Sequence, residues 1–185
     1  MAYFPMFVDL AGKDCLVIGG GEVALRKIEQ LVKFTPRLCV IALAFHPEII
    51  ELSTRYPIEL HERGYTTEDL EGRFLVIGAL DDLEEQEHIY RNCLERHIHV
   101  NCVDSPSWCT FIFPALIVER DICIGINSAG RAPAVSSALR KYLSTMIPEG
   151  ISGLVDRVDA IRQNESPGKE RQDKIIRICK AFFRK

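Results

Sequence analysis

The feature that most constrains this chain is a junction near its start. The apolar run Cys15-Leu16-Val17-Ile18 passes directly into Gly19-Gly20-Gly21 and then into Glu22-Val23-Ala24, the head of a helix-patterned segment. Strand, glycine turn and helix in that order open a βαβ unit, which requires a mostly parallel sheet covered by helices. In the pattern Gly19-x-Gly21-x-x-Ala24, the first glycine permits a tight turn. The second lets a ligand approach the main chain, and the small third position allows close packing of helix on strand. Free N–H groups and the dipole at the helix N-terminus favour an anion there. The junction therefore predicts a dinucleotide diphosphate held at Gly19, Gly21, Glu22 and Val23; a tight turn that binds nothing is the other reading.

The alternation continues. Apolar positions Val23, Ala24, Ile28, Leu31 and Val32 predict a helix over 22–32, and residues 38–43 a buried strand. A helix over 47–54, strands over 58–60 and 74–79, a helix over 83–96 and a strand over 100–103 follow, with Asp81 and Asp82 as helix caps. Residues 111–118 and 122–126 read as two more strands, joined as a hairpin at Glu119-Arg120-Asp121. Beyond Ile126 the pattern is helical only. Val135, Ala138, Leu139, Tyr142, Leu143 and Met146 form one stripe behind Pro133; Ile151, Leu154, Val155, Val158 and Ile161 form a second; a third ends at Phe182 and Phe183. Helices this short leave more apolar surface than they can bury among themselves, so they need the sheet domain or a second copy of the chain.

Of the 185 residues 47% are apolar and 26% charged, a globular composition. A net charge of −3 argues against a protein that works by neutralising nucleic-acid phosphates. No apolar run approaches the roughly 20 residues of a membrane span. Met1-Ala2-Tyr3-Phe4 shows no basic region before a long apolar stretch, so no secretory signal is expected. The seven cysteines include no Cys-x-x-Cys and mostly sit in apolar runs, which predicts buried thiols, no disulfide framework, no zinc knuckle and a cytoplasmic location.

Three further segments carry side chains of chemical interest. Asp104 follows the strand at 100–103, and open α/β sheets bind ligands outside the carboxyl ends of their strands. A carboxylate there can accept a proton from a bound ligand; an aspartate capping the turn before Ser105-Pro106 is the alternative. Ser128 and Arg131 lie in an Asn127-Ser128-Ala129-Gly130-Arg131 loop before the Pro133 helix, suited to anions or to a helix cap. His97-Ile98-His99 would put two rings on one strand face, but without a third ligand no metal is expected. Cys102 and Cys109 read as buried filler, with a redox role as the alternative, and Arg26-Lys27 as one solvated helix face. Residues 41–45 lack the acid that normally binds the adenosine ribose, so main-chain groups must do so and the choice between NAD and NADP stays open.

These segments together resemble the precorrin-2 dehydrogenase domain of siroheme synthases. The similarity runs through Tyr3-Phe4-Pro5-Met6-Phe7, Asp9-Leu10, the stretch from Val17 to Lys27, Gly78-Ala79-Leu80-Asp81-Asp82, His99 to Asp104, Phe111-Ile112-Phe113-Pro114-Ala115, and Gly125 to Pro133. It implies NAD-dependent oxidation of precorrin-2 to sirohydrochlorin and, in several members, insertion of Fe²⁺ in the same pocket to give siroheme. The implied architecture is a Rossmann-type NAD-binding domain over 1–112, a dimerisation region with a substrate loop over 113–147, and a small helical domain over 148–185, assembled as a homodimer. The methyltransferase domain fused to some members has no room in 185 residues, so a stand-alone short form is expected. The resemblance gives Asp104 the catalytic role. It places the cofactor against Gly19, Gly21, Glu22, Val23, Leu43, Ala44, Leu80, Asn101 and Val103, and substrate carboxylates against Ser128, Gly130 and Arg131. Leu80, Ala129 and Thr35-Pro36 depart from the residues common in that family. A non-catalytic nucleotide- or tetrapyrrole-binding module on the same scaffold is the competing reading. A short-chain dehydrogenase for another substrate is disfavoured, because no Tyr-x-x-x-Lys pair is present.

Overall fold

A computed structural model of the chain describes residues 3–184. It divides into two compact units between Phe113 and Pro114. The first contains β1 (Cys15–Ile18), α1 (Glu22–Leu31), β2 (Leu38–Ala42), α2 (Pro47–Arg55), β3 (Ile58–Glu62), β4 (Leu75–Gly78), α3 (Leu83–Glu95) and β5 (His99–Cys102). The five strands form one parallel sheet in the order β3-β2-β1-β4-β5. The chain winds outward from β1 to β3 and then returns to the other side of β1 with β4. That reversal opens a crevice at the carboxyl ends of β1 and β4, the Rossmann arrangement.

The central strands β1, β2 and β4 are buried at every position, which is why they read as unbroken apolar runs. One face of the sheet packs Val17, Val40 and Ile77 against Ile28 and Ile49; the other packs Leu16, Ile18, Ile41 and Val76 against Ile89 and Leu70. Each such side chain contributes about 1.5–3 kcal/mol on burial. All seven cysteines are free. Burial pushes the thiol of Cys15 up to about 11 and those of Cys93 and Cys102 up to about 12, so they stay protonated and inert at neutral pH.

Some expected boundaries move. The strand at 38–43 stops at Ala42, and Leu43 turns outward, 78% exposed. No strand covers 111–114, because Pro114 has no N–H to give a ladder and β6 (Ala115–Glu119) starts only after it. Residues 109–111 instead fold back on β5: the Thr110 N–H donates to the Val100 carbonyl at 2.8 Å, and Asn101 Nδ2 donates to the Phe111 carbonyl at 3.0 Å. His97 has φ +56° in the turn before β5, and His99 packs edge-on against Phe74, so strand alternation does not pair the two rings. Asp82 caps α3 as expected, accepting from the N–H groups of Glu84 and Glu85 at 2.9 and 3.2 Å.

Between β3 and β4 a 3-10 turn, Thr67–Leu70, is closed by a capping box of Thr66 and Asp69. Arg63 forks onto both carboxylate oxygens of Asp69, at 2.8 and 2.6 Å. The Arg63 guanidinium is the main cause that holds the Asp69 carboxyl down at about 2. The folded value lies below the unfolded value of about 3.9, so the pair stabilises the fold above that pH and loses its contribution as pH falls from about 4 toward 2. Asp69→Asn is therefore expected to unfold at lower urea than wild type at pH 7, with the gap closing between pH 4 and pH 2. A gap of constant size would remove the ion pair as its source.

The second unit holds the antiparallel hairpin of β6 and β7 (Ile122–Ile126), as expected, turning through Arg120 at φ +51°. The helices α4 (Pro133–Met146), α5 (Ile151–Asn164) and α6 (Lys169–Phe183) follow. α4 packs on the hairpin, α5 packs on α6, and Arg120 reaches Asp156 at 3.0 Å. Val135, Leu139, Tyr142 and Met146 remain exposed along one side of α4. No helix among the described residues is long and apolar enough to cross a membrane.

Candidate active site

The carboxyl ends of β1, β4 and β5 converge on one cleft. β1 runs into Gly19, whose N–H donates to the Ile41 carbonyl at 2.9 Å; Ala79 beyond β4 donates to the Ile18 carbonyl at 2.8 Å; Val103 beyond β5 donates to the Gly78 carbonyl at 2.9 Å. These bonds extend the sheet ladders by one residue and fix where each loop leaves. Gly19 has φ +125°, and a Cβ there would lie 2.2 Å from the Ala79 carbonyl oxygen. A Cβ on Gly20 would lie 2.0 Å from the carbonyl oxygen of Ala44. Gly21 differs: a Cβ there would meet nothing within 4 Å. The protein needs no glycine at 21 for its own packing, so the space in front of that main chain suits a ligand.

Gly21 is also the N-cap of α1, and no side chain among the described residues caps that end. The first internal bond runs from the Leu25 N–H to the Gly21 carbonyl at 3.0 Å. The N–H groups of Glu22, Val23 and Ala24 precede it and are the helix donors open to an anion. Glu22 pairs with Arg26 along the helix surface at 3.0 Å, which offsets its negative charge beside the donors. At the end of β2, exposed Leu43 offers an apolar surface and the Ala44 carbonyl faces Gly20. This donor set, the open space at Gly21 and the apolar platform fit a dinucleotide.

The cleft itself, about 140 Å³, is walled by Val23, Leu80, Leu83 and Val103, with Ala79, Asp81 and Gln86 beside them and Asp104 at its edge. Pockets that take a whole ligand run to about 300–1,000 Å³, so this cleft accommodates one end of a larger molecule. Leu80 brings an apolar side chain where a hydroxyl is common in the resembled family. Gln86 spends its Nε2 on the Leu80 carbonyl at 2.5 Å, while its Oε1 is buried without a partner among the described residues. Asn101 is buried and donates to Phe111 and to Cys109 Sγ, so its amide N–H₂ holds the 109–111 segment against β5. Asp104 stands exposed at φ +60°, and its carboxylate accepts no hydrogen bond among the described residues. The turn after β5 closes through main-chain and thiol groups instead, with the Ser105 N–H donating to the Cys102 carbonyl at 3.3 Å.

Lys27 corrects one expectation. It is half-buried, not solvated like Arg26, and its Nζ lies 4.4 Å from the centroid of the Phe113 ring. Burial pushes its ammonium below the usual lysine range, while the nearby Asp104 and then Cys109 act in the opposite sense. The sequence offered no signal for this, because the ring that covers Lys27 comes from the far end of the unit.

In the second unit, Ser128 Oγ accepts from the Ala132 N–H at 3.2 Å and from the Ser136 hydroxyl at 2.9 Å. Ala129 and Gly130 follow at φ +55° and +73°, and the Arg131 side chain is exposed. This loop thus holds its shape with its own hydroxyls and presents Arg131 outward. Elsewhere, ligand atoms of Cys39, Glu59 and His61 lie within 4.8 Å of one another across β2 and β3. His61 is already engaged by Glu59 at 2.8 Å, and the Arg73 guanidinium beside the Cys39 thiol opposes a cation there.

A family model described as "Putative NAD(P)-binding" matches residues 6–115. The siroheme synthase of Thioalkalivibrio sulfidiphilus is 38% identical over 162 residues, 88% of this chain and 33% of its own length. Siroheme synthase 2 of Aeromonas salmonicida is 36% identical over the same shares. The chain thus spans about a third of the length of the curated relatives it matches. Among solved structures, "SirC, precorrin-2 dehydrogenase" aligns with a TM-score of 0.76 over 95% of this chain and 89% of that one, at 20% identity, a likeness of fold.

Proposed function

We propose a function from one premise: the chain belongs to the NAD(P)-binding family whose model spans residues 6–115. The reading is NAD-dependent dehydrogenation of precorrin-2 to sirohydrochlorin in siroheme biosynthesis. The siroheme synthase relatives covering 88% of the chain support it, as does the fold shared with a precorrin-2 dehydrogenase. The observation that carries it is Asp104, an exposed carboxylate with no hydrogen-bond partner among the described residues, which lines one cleft with Val23 of α1, just past the glycine loop.

NAD, when bound, supplies the hydride acceptor. Gly19, Gly21 and the N–H groups of Glu22 and Val23 hold its diphosphate. Leu43 and Ala44 flank the adenosine side. Val23, Leu80 and Val103 keep water from the reacting end, with Asn101 bracing the strand beneath. Asp104 accepts the proton that the macrocycle loses together with the hydride. Ser128, Gly130 and Arg131 bind carboxylates of the substrate. In the second unit, 113–147 supply the dimer contact and substrate loop, and 148–185 form a small helical domain. Seven unpaired thiols suit a reducing compartment, hence the cytoplasm.

The test supplies precorrin-2 and NAD and follows sirohydrochlorin by absorbance, then adds Fe²⁺ as a second substrate and looks for siroheme. Sirohydrochlorin is expected. Cofactor or porphyrinoid binding without turnover by folded, NAD-saturated protein would move the assignment to a non-catalytic binding module.

A homodimer belongs to the same reading. Val135, Leu139, Tyr142 and Met146, at 61, 42, 62 and 59% exposure, recur one helical turn apart on α4 and need a partner surface. Sedimentation at micromolar concentration is expected to give a dimer, and Leu139→Lys a monomer. A wild-type monomer under those conditions would remove the claim.

A further inference from the structure

We propose that Lys27 forms an anion subsite beside the cleft and receives a carboxylate arm of the macrocyclic substrate next to Asp104; this rests on the function proposed above. Lys27 lies one helical turn beyond Val23 on the same face of α1, and Val23 walls the cleft that Asp104 borders. The side chain is half-buried, with its Nζ stacked on the Phe113 ring, so its position is held and little rotamer entropy remains to be lost on binding. No carboxylate approaches it within 4.0 Å among the described residues, whereas Arg26, its neighbour, is paired with Glu22. A half-buried ammonium without a close counter-ion is poorly solvated, and its depressed titration agrees with that. A carboxylate brought by a ligand would satisfy it. Asp104 lies near enough to act on Lys27 electrostatically yet forms no ion pair with it, so the base stays free for its proton.

The ligand chemistry could also come from the dinucleotide, whose diphosphate sits on the same helix. The experiment separates the two. Binding of sirohydrochlorin is titrated by absorbance without NAD, and binding of NAD by calorimetry, for wild type, Lys27→Met and Lys27→Arg. Methionine keeps an apolar stem under Phe113, and arginine restores the charge. Lys27→Met is expected to weaken sirohydrochlorin binding by roughly tenfold or more, the loss of one charge-assisted hydrogen bond. NAD affinity should stay within about twofold, and Lys27→Arg should recover most of the loss. Fully methyl-esterified sirohydrochlorin should bind wild type and Lys27→Met equally. Unchanged sirohydrochlorin affinity in a folded Lys27→Met protein overturns the subsite. An equal or larger loss for NAD reassigns the charge to the dinucleotide and also overturns it. Failure of wild type to bind sirohydrochlorin at all sinks the proposed function, and the subsite with it.

Discussion

Asp104→Asn is expected to lower kcat by roughly 10²–10⁴-fold, the range for loss of a positioned general base, while NAD affinity and the thermal midpoint remain those of wild type. Asparagine is the informative replacement. It has nearly the same shape, and it tolerates the left-handed backbone that the structure imposes at φ +60°. The wild-type carboxylate makes no internal hydrogen bond among the described residues, so its removal leaves no buried group stranded and should cost the fold little. The fall should appear equally in kcat and kcat/KM if the group acts on the proton in the transition state. A rise in KM with kcat preserved would make Asp104 a binding residue. Full activity would remove it from the reaction and leave the cleft without a base.

The sequence disclosed the parts of this molecule that obey one local rule. β1, β2 and β4 are buried on both faces, and such strands need apolar residues at every position, so their runs were unmistakable. The α4 stripe was equally plain, because a 3.6-residue period has few other causes. The glycine loop was legible as a loop, but only the structure distinguishes its members. Gly19 and Gly20 serve close approach of protein backbone, and Gly21 alone faces open space. What escaped depends on contacts between distant segments. Lys27 looked like Arg26 until Phe113 was placed over it. Asn101, which the resemblance places against the cofactor, has a second task that only the structure discloses: its amide N–H₂ is engaged by the 109–111 segment folding back on β5. The positive φ of His97, which undoes a two-histidine strand face, comes from the tight turn joining α3 to β5. None of these follows from periodicity or spacing.

The difference among the glycines yields the second large effect, as a contrast between adjacent substitutions. Gly20→Ala places a Cβ 2.0 Å from the Ala44 carbonyl oxygen and 2.8 Å from Ala42 Cβ, contacts that only a shift of β2's exit could relieve. Backbone moved by overpacking costs about 1–3 kcal/mol and sometimes more, or a thermal midpoint lowered by roughly 2–12 °C in a chain of this size. Gly21→Ala meets no such contact. Its φ of −85° and ψ of −172° are extended values that alanine adopts freely, so stability should change by no more than about 1 kcal/mol. The methyl group would instead occupy space in front of the α1 N-terminus, where the diphosphate must approach the main chain. NAD affinity should therefore fall by roughly tenfold to a hundredfold, since displacing the anion from these N–H donors forfeits charge-assisted bonds. Calorimetric titration with NAD and a thermal melt on each variant suffice to check the pair. If Gly21→Ala bound NAD as tightly as wild type, the diphosphate would have to lie elsewhere, and the orientation of the cofactor toward Asp104 would fall with it.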